Sequence, residues 1–441
     1  MTKRFAAALL AATAFTQAAP AQAQDPDAAA LAAEVRAMRA KIEALEAKVQ
    51  ELEGGAKQSA AAVPSWKGAP QSEDKQAGWS FKPFGRLQYD VGHVGSPDGV
   101  GNSGLGFSNE LRRGRIGVEG SMPGGFGYKI ELDFADNALE VTDAFLSYAP
   151  AKDVSLVIGQ HNSFQSLEEL TSSRFLSFME RAAFTDAFNF ERRVGLSATY
   201  SAGSVIAQAG LFTDNIGDLG DIGDDDNAVS VDGRLVFAPK LGGTQLHLGG
   251  SAHHRDNNDV ASLAGTRYRQ RPFVHSTDVR FLATPTLNVE KETSYGLEAA
   301  AIRGPLHATA EAHWLNADAG AAGDPTYFGG YAELGFFLTG ETLGYRGGRF
   351  DRTKVLKPVG NGGAGAFQVN LRYDYLDLND DGIRGGKQSG YQASLIWIPQ
   401  DYVRFLLNYA HLSYEDAAIA AAGGDRAYGI DVIGARAQID F

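Results

Sequence analysis

Cysteine is absent from the 441 residues, which excludes thiolate metal sites, thiol nucleophiles and a disulfide framework. Methionine is scarce, at 4, and no stretch beyond the amino terminus reaches about 18 consecutive apolar side chains, so no membrane-spanning helix is expected. Basic residues are also in deficit. Against 53 Asp plus Glu stand 40 Lys plus Arg, a formal charge of −13 that argues against nucleic acid as a partner. What is plentiful is glycine, 53 residues, together with 25 Phe and 16 Tyr, a mixture suited to many strands and tight turns rather than to a helical enzyme. The length accommodates two or three ordinary domains or one large β-barrel.

The chain opens "MTKRFAAALLAATAFTQAAPAQAQ". Lys3 and Arg4 form a basic region, Phe5 to Phe15 an apolar core, and Ala21-Gln22-Ala23 an A-x-A site, so residues 1–23 read as a cleaved secretory signal peptide. Cleavage after Ala23 removes two positive charges and takes the net charge from −13 to −15. Residues 24–53 then read as a coiled-coil helix. Leu31, Val35, Met38, Ile42, Leu45, Val49 and Leu52 are spaced alternately by four and three, with Val or Ile at a and Leu or Met at d. The flanking pairs Glu34/Arg39, Lys41/Glu46 and Lys48/Glu53 are all opposite in charge, as parallel association requires. Residues 54–78, rich in Ala, Ser, Gln, Gly and Pro, read as a flexible linker.

From 79 to 441 the pattern changes to period two. In "FGYKIELDFAD" the residues Phe126, Tyr128, Ile130, Leu132 and Phe134 share one face, and Lys129, Glu131 and Asp133 the other. Similar alternation recurs in about sixteen segments of roughly ten residues, near 81–91, 107–120, 126–135, 139–149, 153–161, 192–201, 204–213, 228–238, 244–254, 292–302, 305–315, 326–338, 366–377, 388–398, 401–412 and 427–441. Connections are expected to alternate between short turns ("PGG" at 123–125, "GP" at 304–305, "PQ" at 399–400) and long loops (92–106, 162–190, 214–227, 255–291, 413–426). Ten residues at a tilt cross a bilayer, whereas sandwich strands usually run to five or six. Aromatic residues at strand ends (Tyr148, Tyr200, Trp314, Trp397, Tyr409) suit an interfacial girdle, and Phe441 continues the apolar parity of Ile433, Ala435, Ala437 and Ile439. The predicted fold is an all-β transmembrane β-barrel of about sixteen antiparallel strands, with its apolar face toward lipid and its charged face toward water.

Several segments resemble the phosphate-selective porin O/P family: "ELRRGRIGVEG" at 110–120, "VTDAFLSY" at 141–148, "GQHNSFQSLEELTSSRFLSFMER" at 159–181 and "RYRQRP" at 267–272. The resemblance implies a trimeric sixteen-stranded porin of the outer membrane of a Gram-negative bacterium, a third loop folded inward as a constriction, and an arginine ladder that draws anions such as phosphate or pyrophosphate inward. It implies lipid and lipopolysaccharide around the barrel, and no enzyme activity or cofactor.

The residues bear on that expectation directly. Arg113 and Arg115 share a lumen-facing parity opposite Ile116 and Val118, while Arg112 falls at the outer end of the strand, near the lipid rim. Arg267, Arg269 and Arg271 alternate with Tyr268 and Gln270, so an extended backbone puts all three on one side about 6.7 Å apart. With Arg86, Lys129, Arg174, Arg181 and Arg280 they form the candidate anion path, since guanidinium stays charged and offers a planar fork to oxyanions. The alternative is that these cations pair with the lumen carboxylates Glu131, Asp133, Asp143 and Glu298 and stiffen the barrel. In the third loop, Glu168, Glu169, Phe178 and Glu180 are the candidate constriction residues. No lysine lies between Lys152 and Lys240, so tight phosphate binding through lysines at the constriction is not expected.

"DLNDDG" at 377–382 begins like a calcium loop but has Gln388 at the twelfth position, and reads as an outer loop. The acidic stretch 217–227 reads as a solvated loop, and the histidines show no metal spacing. Two other functions compete with an anion porin. One is a barrel-borne lipase or protease, for which no Ser/His pair is found; the other is an envelope tether whose coiled coil holds peptidoglycan or a periplasmic protein. A general small-solute porin is the milder variant of the first reading.

Overall fold

The computed structural model describes residues 26–60, 65–66, 68–101, 104–135, 138–217, 228–257 and 265–441, with the side chains of 26–32, 51–60 and 65–66 left aside. The expected signal peptide, seam positions Leu31 and Leu52, and most of the acidic stretch 217–227 lie outside these described residues or side chains. The chain forms two units, Met1–Val63 and Pro64–Phe441.

The first unit contains a continuous α-helix, Pro26–Ala60. It extends past the expected end at 53. Its seam residues Val35, Met38, Ile42, Leu45 and Val49 are all exposed.

In the second unit, sixteen strands close on themselves. They are β1 (Trp79–Val94), β2 (Gly106–Met122), β3 (Phe126–Asp133), β4 (Glu140–Ala151), β5 (Val154–Asn162), β6 (Arg192–Ala202), β7 (Val205–Phe212) and β8 (Val229–Phe237). The second half comprises β9 (Thr244–Asp256), β10 (Lys291–Arg303), β11 (Leu306–Asp318), β12 (Thr326–Phe337), β13 (Ala366–Asp380), β14 (Ile383–Gln400), β15 (Val403–Glu415) and β16 (Tyr428–Asp440). Every neighbour is antiparallel and consecutive, and β16 pairs with β1 to shut the ring, Val432 opposite Val94 and Asp440 opposite Arg86. Within the stretch read as a linker, Pro70–Asp74 pairs with the start of β1.

The barrel is inside out relative to a soluble domain. Phe126, Ile130 and Phe134 are 46–48 % exposed while Glu131 is 0 % and Asp133 5 %. Aromatic rings stack between neighbouring strands on the outer face, as in Phe126–Tyr148 (4.7 Å between centroids), Trp314–Phe328 (5.2 Å) and Trp397–Phe405 (5.4 Å).

The core lies within the lumen. The third loop, 163–191, and the fifth, 257–290, contribute Phe178, Phe184, Phe188, Tyr268, Phe273 and Phe281, which pack with Leu315, Tyr327, Leu376 and Tyr414 of the wall. A second cluster joins Met179 of the third loop to Leu343 and Val355, which belong to the connection 338–365. That connection corrects the expected alternation. It lies on the side of the short turns yet runs to 28 residues, carries the hairpin Gly344–Arg346/Arg349–Asp351, and enters the lumen. Arg234 of β8 donates to the Gly348 carbonyl (2.9 Å), His247 of β9 meets the Tyr345 hydroxyl (2.7 Å), and the Phe350 N–H reaches Thr171 of the third loop (3.3 Å). Conversely, the outer connection at "DLNDDG" is short. It ends β13 and turns tightly at Asp381-Gly382, both at positive φ (50° and 80°), with Asp380 and Asp381 accepting the N–H groups of Thr326 and Asp324. Likewise Pro399-Gln400 completes β14, and the chain turns after it.

Candidate functional site

The lumen wall from β1 to β6 carries a dense charge network. Arg86 donates to Glu131 and to Ser173 of the third loop (2.8 Å each). Arg115 pairs with Asp133 (2.6 Å) and Glu131 (3.4 Å), Lys129 with Asp143 (2.5 Å) and Glu131 (3.2 Å), and Arg192 with Asp143 (2.7 Å). Four cations thus share three carboxylates. Arg113 adds a fifth, and it contacts only the Gln88 side chain (3.0 Å), with no carboxylate within 4.0 Å among the described residues. Within this cluster five cations stand against three directly paired carboxylates, while Asp90, Glu110 and Glu140 lie on the same strands. Glu298 lies elsewhere, gripped by Arg234 (2.6 and 2.8 Å) beside His247.

Arg112 does not face lipid. The ladder between β1 and β2 slips at this point, Gln88 opposite Arg113 and Tyr89 opposite Leu111, so Arg112 is the extra residue of a bulge. The bulge restores inward parity on both sides of itself and sends Arg112 and Arg113 into the lumen together. Arg112 forms a two-bonded pair with Glu180 of the third loop (2.9 and 3.1 Å).

The third loop is pinned along its length by the opposite wall. Glu311 of β11 accepts the N–H groups of Leu167 and Glu168 (2.8 Å each), the first turn of helix Leu167–Leu170, where a carboxylate complements the free amides. Asp374 accepts from Ala183 (3.0 Å), Asn408 from Met179 (2.7 Å), and Arg436 donates to the Met179 carbonyl (2.6 Å). Arg404 reaches the carbonyls of Arg174 and Leu176. Glu168 is buried, accepts from Ala182 (2.8 Å) and pairs with Arg372, whose guanidinium lies over the Phe178 ring (4.4 Å). Burial, reinforced by Glu311 and Glu333 and only partly offset by Arg372, pushes the Glu168 carboxyl up to about 7. Glu180 goes the other way. Burial opposes its charge, but Arg112, Arg113 and Arg436 together hold it well below the usual carboxylate range. Glu169 pairs with Arg181 (3.1 Å), while Arg174 sits lower, 3.7 Å from Asp440.

In the fifth loop, Arg267 and Arg269 are exposed and Arg271 half-buried, while Tyr268 and Gln270 between them are buried. Arg271 pairs with Asp278 (3.0 Å) and its N–H donates to Asp186 (2.7 Å); Arg280 lies 4.0 Å from Asp278. Arg267 donates to the Thr284 carbonyl (3.2 Å). Between this strap, the third loop and the wall lies a cavity of about 380 Å³ with a mixed lining, Arg112, Arg113, Arg115, Arg181, Arg192 and Arg271 facing it beside Glu140, Glu169, Glu180, Asp186, Glu191 and Asp374.

Reasoning from sequence missed Arg192, the lumen-facing Arg112, and the hairpin residue Arg349, which is exposed yet close enough to Arg234 and Asp143 to feel their charge. Arg192 shares the parity of the outward-facing Val194 and Leu196, so alternation alone would have turned it toward lipid, and none of the three carried a readable signal.

Comparison with known proteins gives a consistent picture. The family model of phosphate-selective porin O and P matches residues 81–441. An uncharacterized protein of Caulobacter vibrioides is 52% identical over 391 residues, 87% of this chain and 78% of that protein. Porin O of Pseudomonas aeruginosa is 29% identical over 336 residues, 69% of this chain and 74% of that protein. Among solved structures, an anion-selective porin from Comamonas acidovorans superposes with a TM-score of 0.51 at 17% identity, covering 82% of this chain and all of that one. The trimer form of Vibrio cholerae OmpT gives 0.52 at 11% identity, with 82% and 100% covered. These similarities to solved structures concern the fold.

Proposed function

The chain belongs to the phosphate-selective porin O and P family and is an outer-membrane porin; from that premise we propose that its water path favours small anions. The observation that carries this reading is the local cation cluster on the β1–β6 wall, where Arg113 pairs with no carboxylate and Arg86, Arg115, Lys129 and Arg192 share Glu131, Asp133 and Asp143. The third loop and the hairpin 344–351 fill the other side of the lumen and meet at Phe350 and Thr171. Solutes then pass between these inserts and the basic wall, so the third loop acts as a constriction whose charged edge is Arg181, Glu169 and Glu180. Phosphate and pyrophosphate pass as members of the anion class without tight capture, because guanidinium groups already engaged with carboxylates replace a free lysine cluster.

The strongest support for assembly is the exposed heptad seam, Val35 to Val49, with its complementary flanking charges. Three copies, as in the trimer form of the Vibrio cholerae relative in fold, would align three such helices in parallel on the periplasmic side. The same helix would also be the element that meets peptidoglycan or a periplasmic protein.

Reversal potentials across planar bilayers in a potassium chloride gradient test the central reading. The wild-type channel should prefer chloride, and replacing Arg267, Arg269 and Arg271 by glutamate should move the preference toward potassium, since a narrow pore follows the sign of its lining. A wild-type preference for potassium would show that the lumen carboxylates prevail.

A further inference from the structure

The end of the third loop gives the cavity an apolar wall beside its cations. Phe190 packs against the lumen core, is half-buried, and borders the cavity. Three rings meet it edge-on, Phe184 at 5.9 Å, Phe188 at 6.2 Å and His313 at 5.4 Å, so its orientation is fixed from behind. Two residues further on stands Arg192, which lines the same cavity with 25 % of its side chain exposed. Its Nε donates to Asp143 (2.7 Å), whereas both Nη nitrogens take no hydrogen bond among the described residues. The other exposed guanidinium groups of the lining differ. Arg112, Arg115, Arg181 and Arg271 each commit an Nη, to Glu180, Glu131, third-loop carbonyls and Asp278 respectively. Arg192 keeps its terminal fork whole. The loop carboxylates of the lining are engaged as well, Glu169 by Arg181, Glu191 by Arg193 and Asp186 by the Arg271 N–H.

We propose that Phe190 and Arg192 form a subsite for aromatic carboxylates, the arene against the Phe190 ring and the carboxylate on the Arg192 fork. The two Cα atoms are at most two chain steps apart, about 7.6 Å. A ring centred about 4.5–7 Å from that of Phe190 can therefore set its carboxylate about 2.7–2.9 Å from the fork. Chloride and inorganic phosphate answer only the fork. This rests on the anion-porin reading and adds a solute class to it. Contact between two rings, beyond the area it buries, corresponds to about two- to tenfold in affinity.

Benzoate and cyclohexanecarboxylate form the test pair, nearly equal in size, equal in charge, and different in the π-system. With the full-length protein in planar bilayers at neutral pH, each sodium salt is titrated against the potassium chloride conductance and its half-blocking concentration is read. For the wild type, the benzoate value should lie about two- to tenfold below that of cyclohexanecarboxylate. Phe190→Leu should bring the ratio to about one, and Arg192→Gln should weaken block by both acids. If Phe190→Leu does not insert, Phe190→Met is read in the same way. A wild-type ratio of one, no block by either acid, or a ratio that survives loss of the Phe190 ring overturns the inference while leaving chloride preference intact. Absence of chloride-over-potassium preference overturns the underlying reading, and this inference with it.

Discussion

Arg112 and Arg113 are adjacent in sequence and both project into the lumen, which an unbroken strand forbids. The bulge that permits this couples β2 to the third loop through Glu180, so Arg112 positions the loop instead of touching the bilayer. Replacing Arg112 by Met should leave half of a two-bonded pair unmet in a partly buried place, a cost of roughly 1–3 kcal/mol. It should appear as a lower temperature for the unfolding shift on semi-native gels; an unchanged midpoint would place Glu180 wholly in the hands of Arg436. Glu168 makes the complementary prediction in pH. Its folded carboxyl titrates near 7 and the unfolded one near 4.5, so the folded state holds a proton that the unfolded chain has released. Its contribution to stability is therefore greatest below about 4.5 and declines as the pH rises to about 7. Glu168→Gln should match the wild type at pH 4 and exceed its stability at pH 8, measured by chemical denaturation in detergent. A variant less stable at pH 8 would mean that the ion pair with Arg372 outweighs burial.

Among the elements, the strands were legible because a two-residue period with apolar residues outward needs no knowledge of neighbours. The hairpin inside 338–365 was not, because Leu343, Phe350 and Val355 share no period and find their partners only in three dimensions. The bulge at Arg112 was hidden for a related reason: parity is read along one strand, whereas a slip exists only between two. Of the site, the rows Arg113/Arg115 and Arg267/Arg269/Arg271 could be read, but which cations keep a carboxylate depends on β3 and β4 and on the third loop. The tight turn Asp381-Gly382 offers a clean element-scale test. Nothing lies within 4 Å of a Cβ built on Gly382, so Gly382→Ala adds backbone strain alone, about 1–2 kcal/mol. Replacing 344–351 by a short Gly-Ser bridge should raise single-channel conductance, because the hairpin occupies lumen beside Arg234 and His247. Unchanged conductance would put the limiting cross-section at the third loop alone.

For the whole molecule, closure depends on the last strand. Phe441 exchanges backbone hydrogen bonds with Gly85 (3.0 and 3.2 Å), and its ring lies where a Gly85 side chain would sit. Deleting Phe441 should reduce the yield of folded barrel, and an undiminished yield would show that β16 registers without it. Cross-linking of the intact protein should give trimers, and a ladder that stops at dimers would refute the three-helix assembly. The meeting of Phe350 with Thr171 also has a meaning in time. Two inserts from opposite rims touch at the centre of a ring whose final seam joins residues some 350 positions apart, such as Gln88 and Gln438. Contacts so distant in sequence form late, and a finished ring would have to admit both inserts through its narrow ends. An open sheet that collects its contents and then zips around them would meet no such obstacle. Pulse-labelling exchange of the Phe350 and Gln88 amides during refolding should then show the first protected before the second.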